Sequence, residues 1–258
     1  MRVEIAIWRL LGPAIAWHQS DAHAESDKIR FPMLSAMFLL GAYLLGGVPF
    51  GYLVAAARGV DIRTVGSGNI GATNVSRALG KGPGLAVFVL DTAKGAVPAL
   101  LSYFFFPFGA IGLSKPDHAA VAGTAAILGH MFSPYLRFNG GKGVATTLGT
   151  LVALSPPVAG ISLGAFIVAF CLTRFVSLAS LVAIPAMIAS GVVFHPSKVF
   201  LLVTIALGVG VAFKHRDNIR RLLKGEEAMF SFGSNRADKG TNGSVVADEH
   251  GRDDEPDR

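Results

Sequence analysis

Residues 33–57 read MLSAMFLLGAYLLGGVPFGYLVAAA, a run without a single charged side chain. A helix that crosses the roughly 30 Å hydrocarbon layer of a bilayer needs about 20 mostly apolar residues. This stretch alone therefore points to a membrane span. Composition agrees: 52% of the residues are hydrophobic, 16% are charged, and the mean hydropathy is +0.52. Such values exclude an ordinary soluble domain.

Six further stretches follow: 84–106, 118–136, 144–155, 157–173, 176–194 and 197–213. The expectation is an all-α, polytopic membrane helix bundle of about seven spans. The fourth stretch is too short to cross alone and stops at Pro156-Pro157, so it reads as a half-span or a tilted element. Lys and Arg in short loops set the orientation. Arg58, Arg63, Arg77, Lys81, Arg137, Lys142, Arg174, Lys214, Arg216, Arg220, Arg221 and Lys224 fall on one side, against Lys115 and Lys198 on the other. The basic side is assigned to the cytoplasm, with the start of the first span outside and the carboxyl end inside.

The termini differ from this core. Residues 1–32 form an extension, and the simplest reading has translation begin at Met33. The membrane domain is placed at 33–227, and residues 228–258 form a polar, Gly-rich tail expected to be disordered. A single cysteine, Cys171, rules out a disulfide framework and is expected to be a packed core thiol.

The polar motifs all fall at span ends on the basic side. In VGSGNIGATNVSR, residues 65–77, Gly66, Gly68 and Gly71 permit a turn whose N–H groups converge on an anion. Ser67, Asn69 and Asn74 add uncharged donors, and Arg77 a two-pronged contact to phosphate. In FNGGKG, residues 138–143, Lys142 stands in a glycine turn directly ahead of a helix, which combines free N–H groups, a positive helix end and an ammonium. It lacks the spacing of a nucleotide-binding P-loop. HRDNIRRLLKGEE, residues 215–227, reads as a basic amphipathic surface helix, except that such a helix has no need of His215, Asn218 and Glu227. Asp91 and Lys94 lie three apart within the second span, where ionisable groups mark a structural ion pair or a site. His130, at the end of the third, reads equally as an interfacial or a functional histidine.

Together these motifs carry far more phosphate-type donors than a membrane anchor needs. There is no nucleophile elbow, no zinc motif and no acidic pair for two metals. The chemistry that fits uses an already activated, phosphate-bearing donor and relies on positioning and charge stabilisation.

GSGNIGATNVSR, the DTAKG of the second span, GHMFSPYLRFNGGKGVAT and HRDNIRRLLKGEE, in this order, resemble the bacterial acyl-phosphate-dependent glycerol-3-phosphate acyltransferases from about Leu39 to Glu227. The family's chain begins near Met33. The resemblance implies a seven-span fold of the bacterial inner membrane with a cytoplasmic site. It implies transfer of a fatty acyl group from acyl phosphate to the first-position hydroxyl of glycerol 3-phosphate, which yields lysophosphatidic acid and phosphate. It calls for no cofactor, metal or nucleic-acid partner, is consistent with a monomer, and leaves the oligomeric state open. By motif position it puts Ser67, Asn69, Arg77 and Lys94 at the substrate phosphates. Gly140, Gly141, Lys142 and Gly143 would form the acyl-phosphate loop, and His215, Asn218 and Glu227 would line the glycerol 3-phosphate side. Lys142, His215 and Asn218 are the residues expected to take part in catalysis. The proton acceptor stays open between His215 and the acceptor's own phosphate. Two rivals belong to other classes: a transporter of a phosphorylated small molecule, which would want a polar path through the midplane, and a scaffold whose basic helix recruits a partner.

Overall fold

The computed structural model describes residues 21–105, 112–195 and 197–230, with the side chains of 21–29 excepted. Among these residues every regular element is a helix. Besides two 3-10 turns, Ile62–Thr64 and Pro134–Leu136, the α-helices in chain order are α1 Asp21–Gly47, α2 Phe50–Ala56, α3 Ala72–Leu79, α4 Lys81–Phe105, α5 Lys115–Met131, α6 Val144–Leu154, α7 Pro156–Thr173, α8 Val176–Phe194, α9 Lys198–Lys214 and α10 Arg216–Lys224.

Among the described residues five helical stretches are long and apolar enough to cross a membrane: Arg30–Ala56, α4, Lys115–Leu136, α7 and α8. The α9–α10 pair makes a sixth if its 56° bend is counted within one span. The expected seven is not reached by length. The missing member is α6, only 11 residues long, which a Ser155-Pro156 step ends as the Pro pair foretold.

The first span is broken. Pro49 has no N–H and disfavours helical geometry at Val48, so the ladder stops at Gly47 and resumes at Phe50. Backbone polar groups at membrane depth need protein partners. The Gly47 carbonyl accepts from the Ser133 hydroxyl at 2.6 Å. The Val48 carbonyl takes a tight-turn bond from Phe50 N–H at 3.1 Å and one from the Lys94 ammonium at 3.0 Å.

Around this, α1 lies against α5, α4 packs between α5 and α6, and α7 pairs with α8. The α4–α6 crossing is close. A Cβ on Gly149 would sit 1.9 Å from the Thr92 carbonyl oxygen, and one on Gly95 2.1 Å from that of Thr146. Small residues at such crossings are how membrane helices gain van der Waals contact.

Three expectations about the periphery change. Cys171 is exposed on α7 instead of packed in a core, because in a bundle bathed by lipid an apolar run does not distinguish inward from outward faces. Residues 228–230 belong to the ordered chain: Phe230 N–H donates to the Arg174 carbonyl at 2.8 Å. Residues 21–32 form the opening turns of α1, which continues through Met33. The remainder of the predicted extension, 1–20, and of the tail, 231–258, lies outside the described residues.

Candidate active site

The loop ahead of α3 is built around one buried side chain. Asn74 is 2% exposed, and its amide donates to the carbonyls of Val65 (2.9 Å) and Ile62 (3.3 Å) while its oxygen accepts Ser67 N–H (3.1 Å). Asn74 thus holds the loop. Asn69 accepts Gly71 N–H at 2.8 Å. With the loop folded this way, the amino end of α3 faces a cavity of about 540 Å³.

The glycine turn ahead of α6 enters the same cavity differently from the expectation. Gly140 N–H donates to the Met131 carbonyl (3.2 Å) and Gly141 N–H to that of His130 (2.9 Å), so neither is left to bind an anion. Gly141 lies on the His130 ring, where an added Cβ would come within 2.1 Å of Nε2. The turn is tied to the end of α5, and only from Lys142 onward does it line the cavity, with Gly143, Val144 and Ala145. The first N–H groups of a helix have no partner within it, so α6 presents donors and a positive end there.

The third motif supplies a bonded cluster. Lys142 Nζ donates to Asn218 Oδ1. Asn218 donates to Glu227 Oε1 (2.6 Å), which also accepts from the Ser177 hydroxyl (2.7 Å), and Arg221 Nε donates to Oε2 (2.7 Å). Arg77 reaches across from α3 to the Ala228 carbonyl at 3.0 Å. His215, at the bend after α9, is 2.8 Å from the Val211 carbonyl through Nδ1. A carbonyl only accepts, so Nδ1 carries the hydrogen and the neutral ring keeps its lone pair on Nε2.

These contacts set the protonation states. Burial lowers the Lys142 ammonium to about 8, against the pull of Glu227 and with the help of Arg221 and Arg77. Burial, then the Lys142 charge, lowers His215 to about 4. Burial works against the Glu227 carboxylate, but hydrogen bonds from Ser177, Asn218 and Arg221 outweigh it and hold it below its usual range.

Ser67, Asn69, Arg77, Lys142, Gly143, His215, Asn218 and Glu227 therefore meet at one cavity, while Gly140, Gly141 and Lys94 do not line it. Lys94 is turned to the Val48 carbonyl and to Asp91, 2.8 Å away, because the broken first span offers its ammonium an acceptor. Asp91 itself lines the cavity, as does His130, whose Nδ1 lies 3.7 Å from Asp91 Oδ1. Ser177 was not foreseen, since nothing distinguishes it from other serines of an apolar helix. Arg221 was visible only as a member of a basic run.

One end of the cavity is apolar. Val144, Phe166 and Ser180 line both it and a narrow cleft of about 70 Å³ between α6, α7 and α8. The cleft is walled by Leu148, Leu151, Ile184 and Met187, and by Leu163, which is 39% exposed.

The family model described as glycerol-3-phosphate acyltransferase matches residues 36–225. The chain belongs to the glycerol-3-phosphate acyltransferase family. The family's enzyme from Aquifex aeolicus is 45% identical over 199 residues, which are 76% of this chain and all of that one. The one from Geobacter sulfurreducens is 43% identical over 199 residues, 77% of this chain and 99% of that one. The chain is also similar to the crystal structure of PlsY (YgiH), an integral membrane glycerol 3-phosphate acyltransferase, in its glycerol 3-phosphate form, with a TM-score of 0.70 and 42% identity over 76% of this chain and 96% of that one. The lysophosphatidic acid form of PlsY gives 0.69 and 40%, over 77% and 96%. This acyltransferase-family chain is accordingly an integral membrane protein.

Proposed function

We propose that this chain transfers a fatty acyl group from acyl phosphate to the first-position hydroxyl of glycerol 3-phosphate, forming lysophosphatidic acid and inorganic phosphate. We place it in the bacterial inner membrane with its cavity towards the cytoplasm. The observation that carries the reading is the junction at Val144, Phe166 and Ser180, where a cavity lined by Arg77, Lys142 and Arg221 meets an apolar cleft. An acyl phosphate has that same division, an anionic head joined to a hydrocarbon chain.

In this reading the acyl chain lies along the cleft and its phosphate at Arg77, Lys142 and the amino end of α6. Glycerol 3-phosphate sits towards His215 and Asn218. Its hydroxyl oxygen attacks the acyl carbonyl carbon, the carbon–oxygen bond to phosphate breaks, and phosphate leaves with the electron pair. The hydroxyl proton goes to Nε2 of His215 or to the acceptor's own phosphate. The cations need only stabilise charge that moves onto the leaving group, a preorganised electrostatic role.

Purified protein in detergent should release phosphate from palmitoyl phosphate only when glycerol 3-phosphate is present. Folded protein that gives no acceptor-dependent release would sink the proposal. Uptake of labelled glycerol 3-phosphate into proteoliposomes without acyl donor would instead favour a transporter.

A further inference from the structure

Glu226, Glu227 and Ala228 lie beyond the stretch that the family model matches, which ends at 225, yet they line the cavity, and Phe230 follows two residues on. The chain leaves α10 with Glu226 N–H bonded to the Arg221 carbonyl (2.8 Å) and crosses to the α7–α8 junction, where Phe230 N–H meets the Arg174 carbonyl (2.8 Å). On the way the Ala228 carbonyl accepts from Arg77 Nη2 at 3.0 Å. The Phe230 ring stands edge-on to Phe170 with centroids 5.9 Å apart, and Phe170 stacks on Phe166 at 6.1 Å. The Arg77 guanidinium lies 6.0 Å from the centre of the Phe230 ring. Phe166 is the aromatic side chain shared by the polar cavity and the apolar cleft.

We propose that Phe230 is a positioning residue for the acyl donor. It pins the 226–230 segment across the cavity, so that the Ala228 carbonyl holds Arg77 towards the donor's phosphate while the row Phe230–Phe170–Phe166 fixes the wall past which the acyl chain enters. The inference rests on the acyltransferase reading above. It differs from a general packing role because the two side chains it steadies line the two parts of the site: Arg77 the polar cavity, and Phe166, through Phe170, the mouth of the apolar cleft.

The test is initial-rate phosphate release by the full chain, with palmitoyl phosphate and glycerol 3-phosphate varied separately, for wild type, Phe230→Ala and Phe230→Tyr. Phe230→Ala should raise KM for palmitoyl phosphate roughly fivefold, within the range that loss of one aromatic contact gives, with kcat and KM for glycerol 3-phosphate within about twofold of wild type. Phe230→Tyr should restore the donor KM. An unchanged donor KM, or a fall in kcat alone that Tyr does not rescue, overturns the proposal. If Phe230→Ala is not recovered folded, Phe230→Leu and Phe170→Leu serve instead: the pair must be non-additive in donor KM, and additivity overturns the proposal. Wild type measured in parallel separates the two readings, since no acceptor-dependent release from it would remove the acyltransferase reading itself.

Discussion

Lys142 keeps its ammonium where burial and two guanidinium groups disfavour it, with a pKa lowered to about 8. The charged form is the protonated one, so in the free enzyme the cation is lost as pH rises through about 8. A bound phosphate favours the cation, so KM for acyl phosphate should climb on the alkaline side. Lys142→Arg, whose guanidinium does not titrate in that range, should flatten the climb; a KM profile that stays parallel in the two proteins would refute this. Arg77→Ala and Lys142→Ala should each cut kcat/KM at least about tenfold, since one charged hydrogen bond is worth about 1.5 to 3 kcal/mol. Rates near wild type in either variant would refute its placement at substrate. At this scale the sequence singled out Ser67, Asn69, Arg77, Lys142, His215, Asn218 and Glu227, and the fold gathers these at one cavity, because each stands in a polar motif at the end of an apolar run. Lys94 makes the pair with Asp91 that their spacing allowed, but its other acceptor is a carbonyl released by a break in another helix, and no local pattern reports that. Gly140 and Gly141 depart from expectation for a related reason: their N–H groups are spent on carbonyls at the end of α5.

At the scale of elements, the α4–α6 crossing sets how deep the positive end of α6 sits. Gly149→Ala puts a methyl where a Cβ meets the Thr92 carbonyl at 1.9 Å. Overpacking of this kind typically costs about 1 to 3 kcal/mol. The variant should unfold at a lower temperature in detergent and lose acyl transfer in parallel, and an unchanged melting profile would show that the helices can separate without loss. The sequence announced where α6 ends, through Pro156 and Pro157, but not that the first span is interrupted between α1 and α2, although Pro49 was in plain view. The interruption lies inside an unbroken apolar run, and apolar periodicity carries no record of which carbonyls a neighbouring helix will serve.

At the scale of the whole molecule, the polar cavity gathers loops 58–80, 137–143 and 215–230, which the positive-inside argument had put on one side. The opposite end has its own meeting of loops, where the Ser197 hydroxyl donates to Asp117 and Asp117 also accepts from Ser114 at 2.6 Å. In a Cys171→Ala background, Lys198→Cys should react with a membrane-impermeant maleimide on intact cells, and Arg137→Cys only after permeabilisation. The reverse pattern would invert the proposed orientation. Loop charges and the shared cavity agree in grouping these segments, whereas the span count was not readable, because length along the chain does not say how far α6 descends into the bilayer. The contact of Lys94 with Val48 bears on how such a molecule comes together. A carbonyl at a helix break and an ammonium with its own carboxylate partner, Asp91, are ill-suited to hydrocarbon when apart. The carbonyl freed at the break and the ammonium that serves it therefore tie the kink of the first span to the presence of the second.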